Sequence, residues 1–192
     1  MQTPNSSIYT TRGNRKYLTV EERQAFVTKL QTLSAHDRLF CLTLLFTGCR
    51  LSEALSLTRE HISISERIIV FRTLKQRGRI SMRHMPVPVE FLDALSTLDT
   101  PQDGRLFPWG RTRGWKVIKQ AMTNAGLRGA KATPRGLRHT FGVMSVMNDI
   151  PLNMISKWMG HSNINNTAIY TDVTGNAEWE MAARTWCGIS IR

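Results

Sequence analysis

Tyr170 stands nine residues after His161, at the end of the run Gly160-His-Ser-Asn-Ile-Asn-Asn-Thr-Ala-Ile-Tyr170. Upstream lie Arg135-Gly-Leu-Arg138-His139-Thr140 and, earlier still, Thr47-Gly-Cys-Arg50-Leu-Ser-Glu53. Each stretch alone is ordinary helix and turn. In this order on one basic chain, they supply a phenol nucleophile, arginines and an imidazole, the set needed to cleave a phosphodiester without a metal. A phenol with an ordinary pKa of about 10 attacks poorly at neutral pH until its proton is removed or a basic pocket stabilises the phenolate. Its advantage over water is that the phosphotyrosine ester retains the energy of the broken bond, so a strand can be rejoined without ATP. The plainer reading of Tyr170 is a half-buried amphipathic anchor at a helix end.

The other groups carry paired readings too. Arg135 and Arg138 share one face of a helix whose apolar positions are Leu137, Phe141 and Met144. Cations in a first helical turn oppose the macrodipole, so a bound anion would account for them, and a guanidinium can fork two N–H groups onto a phosphate. The alternative is a pair of solvated surface arginines. Arg50 follows an apolar helix and a glycine, with Glu53 three residues on to hold it; a purely structural ion pair is the competing view. His161 ends the helix Leu152–Met159, where the dipole favours an imidazolium that would donate to a phosphate oxygen; the alternative is a simple capping histidine. Lys75 sits at a hairpin tip amid Arg72, Arg77, Arg79 and Arg83. Those charges would lower its pKa and suit it to protonate a leaving 5′-oxygen, while the arginines track a DNA backbone. Charged hairpin tips are also commonly just solvated.

Composition narrows the partner. Lys and Arg number 26 against 14 acidic residues, a formal charge of +12 spread over 192 residues, which calls for a polyanion and points to nucleic acid over a merely soluble cationic protein. The length and a 41% hydrophobic content suit one globular domain. Cys41, Cys49 and Cys187 form no CxxC pair, which predicts reduced thiols in an intracellular setting. Histidines 36, 61, 84, 139 and 161 show no metal-binding spacing, so neither a metal nor another cofactor is expected. No apolar run reaches membrane-spanning length and no signal-peptide pattern opens the chain, so the expected location is cytoplasmic, away from membranes.

These groups must be positioned by a mixed α/β fold, mostly helical with a small antiparallel sheet of about three strands. Residues 1–17 read as a flexible basic arm carrying Arg12, Arg15 and Lys16, and residues 18–192 as a single domain. Thr19-Val-Glu-Glu22 has the capping-box form and opens a helix to about Leu33. Helices are predicted over Asp37–Phe46, Leu51–Leu57, Val89–Leu98, Thr112–Ala125, Pro134–Asn148, Pro151–Met159, Asn163–Tyr170 and Asn176–Trp186. Strands are predicted over Glu66–Thr73 and Gly78–Pro88, with a short one near His61–Ile64.

The ordered segments Thr47-Gly-Cys-Arg-Leu-Ser-Glu-Ala-Leu, the Lys75 hairpin, Thr133-Pro-Arg-Gly-Leu-Arg-His-Thr-Phe and Met159-Gly-His-Ser-Asn-Ile-Asn-Asn-Thr-Ala-Ile-Tyr-Thr resemble the catalytic domain of the tyrosine recombinases, the phage integrase family. The likeness runs from about Leu18 to Arg184 and is nearest to short members such as those inverting fimbrial promoter elements. It implies that Tyr170 takes the 3′-phosphate, that Arg50 and Arg138 grip the scissile phosphate, that Lys75 is the general acid and that His161 is the second active-site histidine. Arg135 occupies a position where the family usually has a histidine, which puts that histidine's help with the tyrosine proton in doubt. His139 and Glu53 would support the reacting groups from behind. The resemblance further implies specific double-stranded DNA sites, a homotetramer on DNA, exchange through a Holliday junction without metal or ATP, and a C-terminal tail (residues 176–192) that packs in trans; the alternative for the tail is that it folds back on its own domain. Most relatives place a core-binding domain before the catalytic one; here about seventeen polar residues stand there, so weaker, salt-sensitive binding aided by a host DNA-bending protein or a partner recombinase is expected. Two other functions fit the same residues: a type IB topoisomerase, and a DNA-binding regulator that has lost catalysis.

Overall fold

The computed structural model describes residues 7–74 and 80–186, so the roles expected of Lys75, Arg77 and Arg79 fall outside the described residues. Helix α1 (Val20–Leu30) opens with the capping box: the Glu22 N–H donates to the Thr19 hydroxyl at 3.2 Å, and the Thr19 N–H donates to the Glu22 carboxylate at 3.0 Å. Helix α2 (Ala35–Thr47) starts on Ser34, buries Leu39, Phe40, Cys41, Leu44 and Leu45, and stops at Gly48, whose φ of 57° is a left-handed conformation that glycine adopts without steric cost. Helix α3 (Leu51–Leu55) follows at once.

Strands β1 (Ile62–Ser63), β2 (Ile68–Leu74) and β3 (Ile80–Pro86) form one antiparallel sheet in sequence order. Ile69 pairs with Met85 and Phe71 with Arg83, and all four side chains are buried, while Arg72, Met82 and His84 are exposed. The rest is helical: α4 (Val89–Ser96), α5 (Arg111–Asn124), α6 (Pro134–Met147), α7 (Leu152–Met159), α8 (Asn165–Ala168) with a 3₁₀ turn at Ile169–Thr171, and α9 (Asn176–Ala183) with another at Arg184–Trp186. The expected mostly helical fold with a small antiparallel sheet is what the chain adopts. No helix among the described residues is long and apolar enough to cross a membrane.

Two apolar cores share α6 as their common wall. The larger gathers α1 to α5 and the inner sheet face, with Leu137 of α6 among its members. The smaller holds Ile8, Tyr17, Val143, Met144, Val146, Met147, Ile155, Met159, Tyr170 and Val173. A helix facing two cores must be apolar nearly all round, and α6 buries most of its residues.

Three expectations need correcting. Residues 7–17 are not a loose arm: Ile8 and Tyr17 are buried in the smaller core, Tyr9 pairs with Arg15 across a turn, and the Lys16 N–H donates to the Ile8 carbonyl at 2.8 Å. The apolar Ile8, Tyr9 and Tyr17 fold this stretch down onto the domain, because leaving them in water would forgo roughly 1.5–3 kcal/mol per large side chain. The helix expected to reach Tyr170 stops at Ala168, and Tyr170 lies in the 3₁₀ turn instead. Arg83, expected to follow DNA, faces inward, because strand alternation puts it on the same side as Met85.

The described part of the C-terminal tail touches its own chain. Arg184 pairs with Asp149 at 2.6 Å and also donates to the Met147 carbonyl, Ala177 and Met181 pack on the smaller core, and Trp179 is 63% exposed.

Candidate active site

The turn at Gly48 positions two arginines together. Arg50 caps α3, its backbone N–H donating to Glu53 Oε2 at 2.8 Å and its guanidinium to Glu53 Oε1 at 2.9 Å. Arg138, one turn into α6, donates to the Gly48 carbonyl at 2.5 Å and, through its other Nη, to the Met159 carbonyl at 2.8 Å. Backbone oxygens thus fix the Arg138 plane, while its remaining N–H groups are available to an incoming anion. Gly48 also leaves room for Phe141 of α6, whose ring would stand 2.6 Å from a Cβ there. Burial, and then the charge of Arg50, pull the Arg138 pKa down to about 10. Two like charges facing one another inside a fold favour an anion between them.

His161 enters from the end of α7, after Gly160 at φ 66°. Its Nδ1 lies 2.8 Å from the Thr167 hydroxyl. With that hydroxyl as donor, the proton sits on Nε2, which becomes a neutral hydrogen-bond donor. Burial, followed by Arg138, Arg50 and Arg83, lowers its pKa to about 4. Against the imidazolium expected at the helix terminus, burial and the three guanidinium charges favour the neutral ring.

Tyr170 is 2% exposed. Its ring lies over Gly142 of α6, where a Cβ would come within 2.6 Å of three ring atoms, and it stacks 6.3 Å from His161 and edge-on 5.9 Å from His139. Burial raises the phenol pKa, and the charges of Arg138, Arg135 and Arg50 only partly offset that rise. The neutral phenol therefore prevails in this conformation, with the three guanidinium charges acting against the burial. Thr167, Tyr170 and Val173, three residues apart, are the inward anchors of a segment whose neighbours at 168, 171, 172 and 174 face water.

The remaining expected residues divide. Arg135 is exposed on the first turn of α6, and its charge acts on both Tyr170 and His139. His139 is more central than a supporting role suggests. It is buried, neither ring nitrogen has a hydrogen-bond partner among the described residues, and its pKa falls to about 3 through burial and then the charges of Arg135, Lys16, Arg138 and His161. The charge of Lys16 thus reaches His139, while its Nζ donates to the Ser7 carbonyl at 3.0 Å. Arg15 pairs with Glu22 at 3.2 Å, and Glu22 also binds Lys131. Arg12 and Arg72 are exposed. Among the described residues no cluster of three His, Cys, Asp or Glu stands ready for a metal ion.

One surface escaped the sequence reading. Helix α5 exposes Arg111, Arg113, Trp115 and Lys116, and it contains no acidic residue. A cationic helix of 14 residues with an exposed indole was a readable signal.

A mostly helical domain thus brings paired arginines, an imidazole and a tyrosine into one neighbourhood. A profile of the phage integrase family matches residues 16–176, and the chain belongs to that family. Its relatives include tyrosine recombinase XerA of Thermococcus onnurineus, 29% identical over 83% of this chain and 58% of that protein. A resolvase of Escherichia coli K12 is 30% identical over 82% of this chain and 71% of the relative. The fold matches a crystal structure of XerA recombinase with a TM-score of 0.77 at 24% identity, covering 88% of this chain and 64% of that one. It also matches the catalytic domain of bacteriophage HP1 integrase with a TM-score of 0.63 at 22% identity, covering 92% and 98%. The chain spans 58% of the length of the XerA relatives from Thermococcus onnurineus and Pyrococcus furiosus.

Proposed function

We propose that this chain is a site-specific DNA recombinase that cuts a strand with Tyr170, holds it as a 3′-phosphotyrosine and rejoins it to a partner strand, using neither metal nor ATP. The observation that carries the reading is the juxtaposition of Arg50, Arg138 and Tyr170, with Arg138 tied to the carbonyl two residues before Arg50 and both charges acting on the phenol. Arg50 and Arg138 would clamp the scissile phosphate and neutralise the charge that builds on its oxygens, and the neutral Nε2–H of His161 would add a third donor. Lys75 would protonate the leaving 5′-oxygen. Arg135, exposed beside the phenol, would bind phosphate and favour phenolate once the ring leaves its buried seat. Similarity to XerH structures solved on difH DNA, before and after cleavage, supports double-stranded DNA as the partner.

On DNA, Arg12, Arg72, Arg77, Arg79 and the basic face of α5 would follow the backbone and grooves. A tetramer exchanging strands through a Holliday junction, a host bending protein or partner recombinase, and a cytoplasmic location complete the reading.

The test is covalent capture. A duplex from the DNA flanking the chain's own coding region, nicked so that the released fragment diffuses away, is incubated with the protein and resolved on a denaturing gel. A protein–DNA adduct is expected with the unchanged chain and none with Tyr170→Phe. If Tyr170→Phe binds the same DNA and the unchanged chain leaves no adduct, the chain is a regulator on this fold.

A further inference from the structure

Arg83 was expected at a DNA surface and lies instead behind the site, with a side chain 5% exposed. Its Nη2 donates to Glu53 Oε2 at 2.9 Å, its Nε donates to the Trp158 carbonyl at 2.5 Å, and its guanidinium carbon lies 4.5 Å over the Phe71 ring. Gly160 permits this approach: a Cβ there would stand 3.2 Å from Arg83 Nη1. The same Glu53 carboxylate holds Arg50 through Oε1. Arg138 holds the very next carbonyl of α7, that of Met159, and returns to Gly48. These bonds therefore close a circuit: Arg50, Glu53, Arg83, the end of α7, Arg138, Gly48 and back along the chain to Arg50.

We infer that Arg83 is a positioning residue, which sets the distance between the Arg50 guanidinium and the Gly160–His161 turn so that both meet one phosphate. The inference rests on the function proposed above and extends it to a residue that touches no DNA. Three features argue for positioning beyond packing. The two α7 carbonyls nearest its end lack intrahelical donors, and each receives one guanidinium, so the turn bearing His161 has a set height. Arg50 is substantially exposed, at 45%, and a carboxylate anchored from behind by Arg83 is what keeps that long side chain in one direction. Only a planar guanidinium can serve a carboxylate, a carbonyl and an aromatic face at once, so lysine cannot replace it fully.

Arg83→Lys and Arg83→Met are compared with the unchanged chain in two assays, with thermal melting reporting the folded fraction. The first is the single-turnover rate of adduct formation on the nicked duplex at saturating protein. The second is binding of inorganic phosphate, followed by ³¹P line broadening, which needs no DNA target. Expected results are a fall of about tenfold or more in both adduct rate and phosphate affinity for Arg83→Met, partial recovery in Arg83→Lys, and half-saturating DNA concentrations within about twofold of one another. Should Arg83→Met fail to fold, Arg83→Lys carries the test with a smaller loss in both assays. Equal phosphate affinity per folded molecule across the three proteins overturns the inference, even with a lowered melting temperature, because that is the behaviour of packing alone. An unchanged chain that binds phosphate in an Arg83-dependent way yet forms no adduct would sink the recombinase reading and leave the positioning role standing.

Discussion

Burial and neighbouring arginine charges favour the neutral forms of His139 and His161, and this sets how stability responds to acid. Both have folded pKa values, about 3 and about 4, below the ordinary 6.5 that they regain on unfolding. Below about pH 6.5 the unfolded chain binds more protons than the folded one, so stability drops as pH falls. The contribution is fully present above pH 6.5 and is lost progressively as the pH descends toward each folded value. Glu53 acts in the same direction lower down. Burial alone would raise its pKa, but hydrogen bonds and charge from Arg83 and Arg50 bring it to about 2, so its share is lost as pH falls below 4.5. The melting temperature should therefore decline between pH 7 and pH 5, with a loss on the order of a few kcal/mol from the two imidazoles. Repeating the titration with His139→Gln should flatten the decline; an unchanged slope would show that this histidine is not held neutral.

Elements, more than single side chains, decide whether Tyr170 can stay where it is. Gly142 lies in α6 without positive φ, so helix propensity alone predicts that Gly142→Ala stabilises by about 1 kcal/mol. The Tyr170 ring occupies that Cβ position, so the expected outcome is the reverse, a loss of about 1–3 kcal/mol in denaturant melts. A stabilised variant would mean that the ring does not rest on α6. Much at this scale was legible beforehand: Thr19 with Glu22, Gly48 and Gly160 mark helix ends by local rules that need no tertiary knowledge. Arg83 was misread although the signal existed, since Arg83, Met85 and Val87 alternate and share the buried face. Ile8 and Tyr17 were hidden in a polar stretch because what buries them lies more than a hundred residues away, on α6 and α7. The burial of Tyr170 and the central place of His139 arise from the packing of α6 against the 3₁₀ turn, which no local pattern records.

At the scale of the whole molecule, a formal charge of +12 would make the proposed DNA binding largely a matter of counterion release. Affinity for a non-specific duplex, measured by anisotropy over a salt series, should fall steeply. Converting Arg111, Arg113 and Lys116 of α5 to alanine should reduce the log–log slope by about 0.9 for each phosphate that is no longer neutralised. An unaltered slope would remove α5 from the interface. The two cores divided by α6 bear on the reaction in another way. In the proposed chemistry the reagent is also a keystone: the phenol that attacks DNA is among the largest fully buried side chains, and it fills the smaller core. Its departure onto a phosphate would leave a void that costs about 3–5 kcal/mol, with the larger core untouched across the helix. The covalent intermediate would thus be a locally loosened protein, quicker to exchange amide hydrogens along α6 and α7, and resealing the DNA would let the ring fall back into its socket.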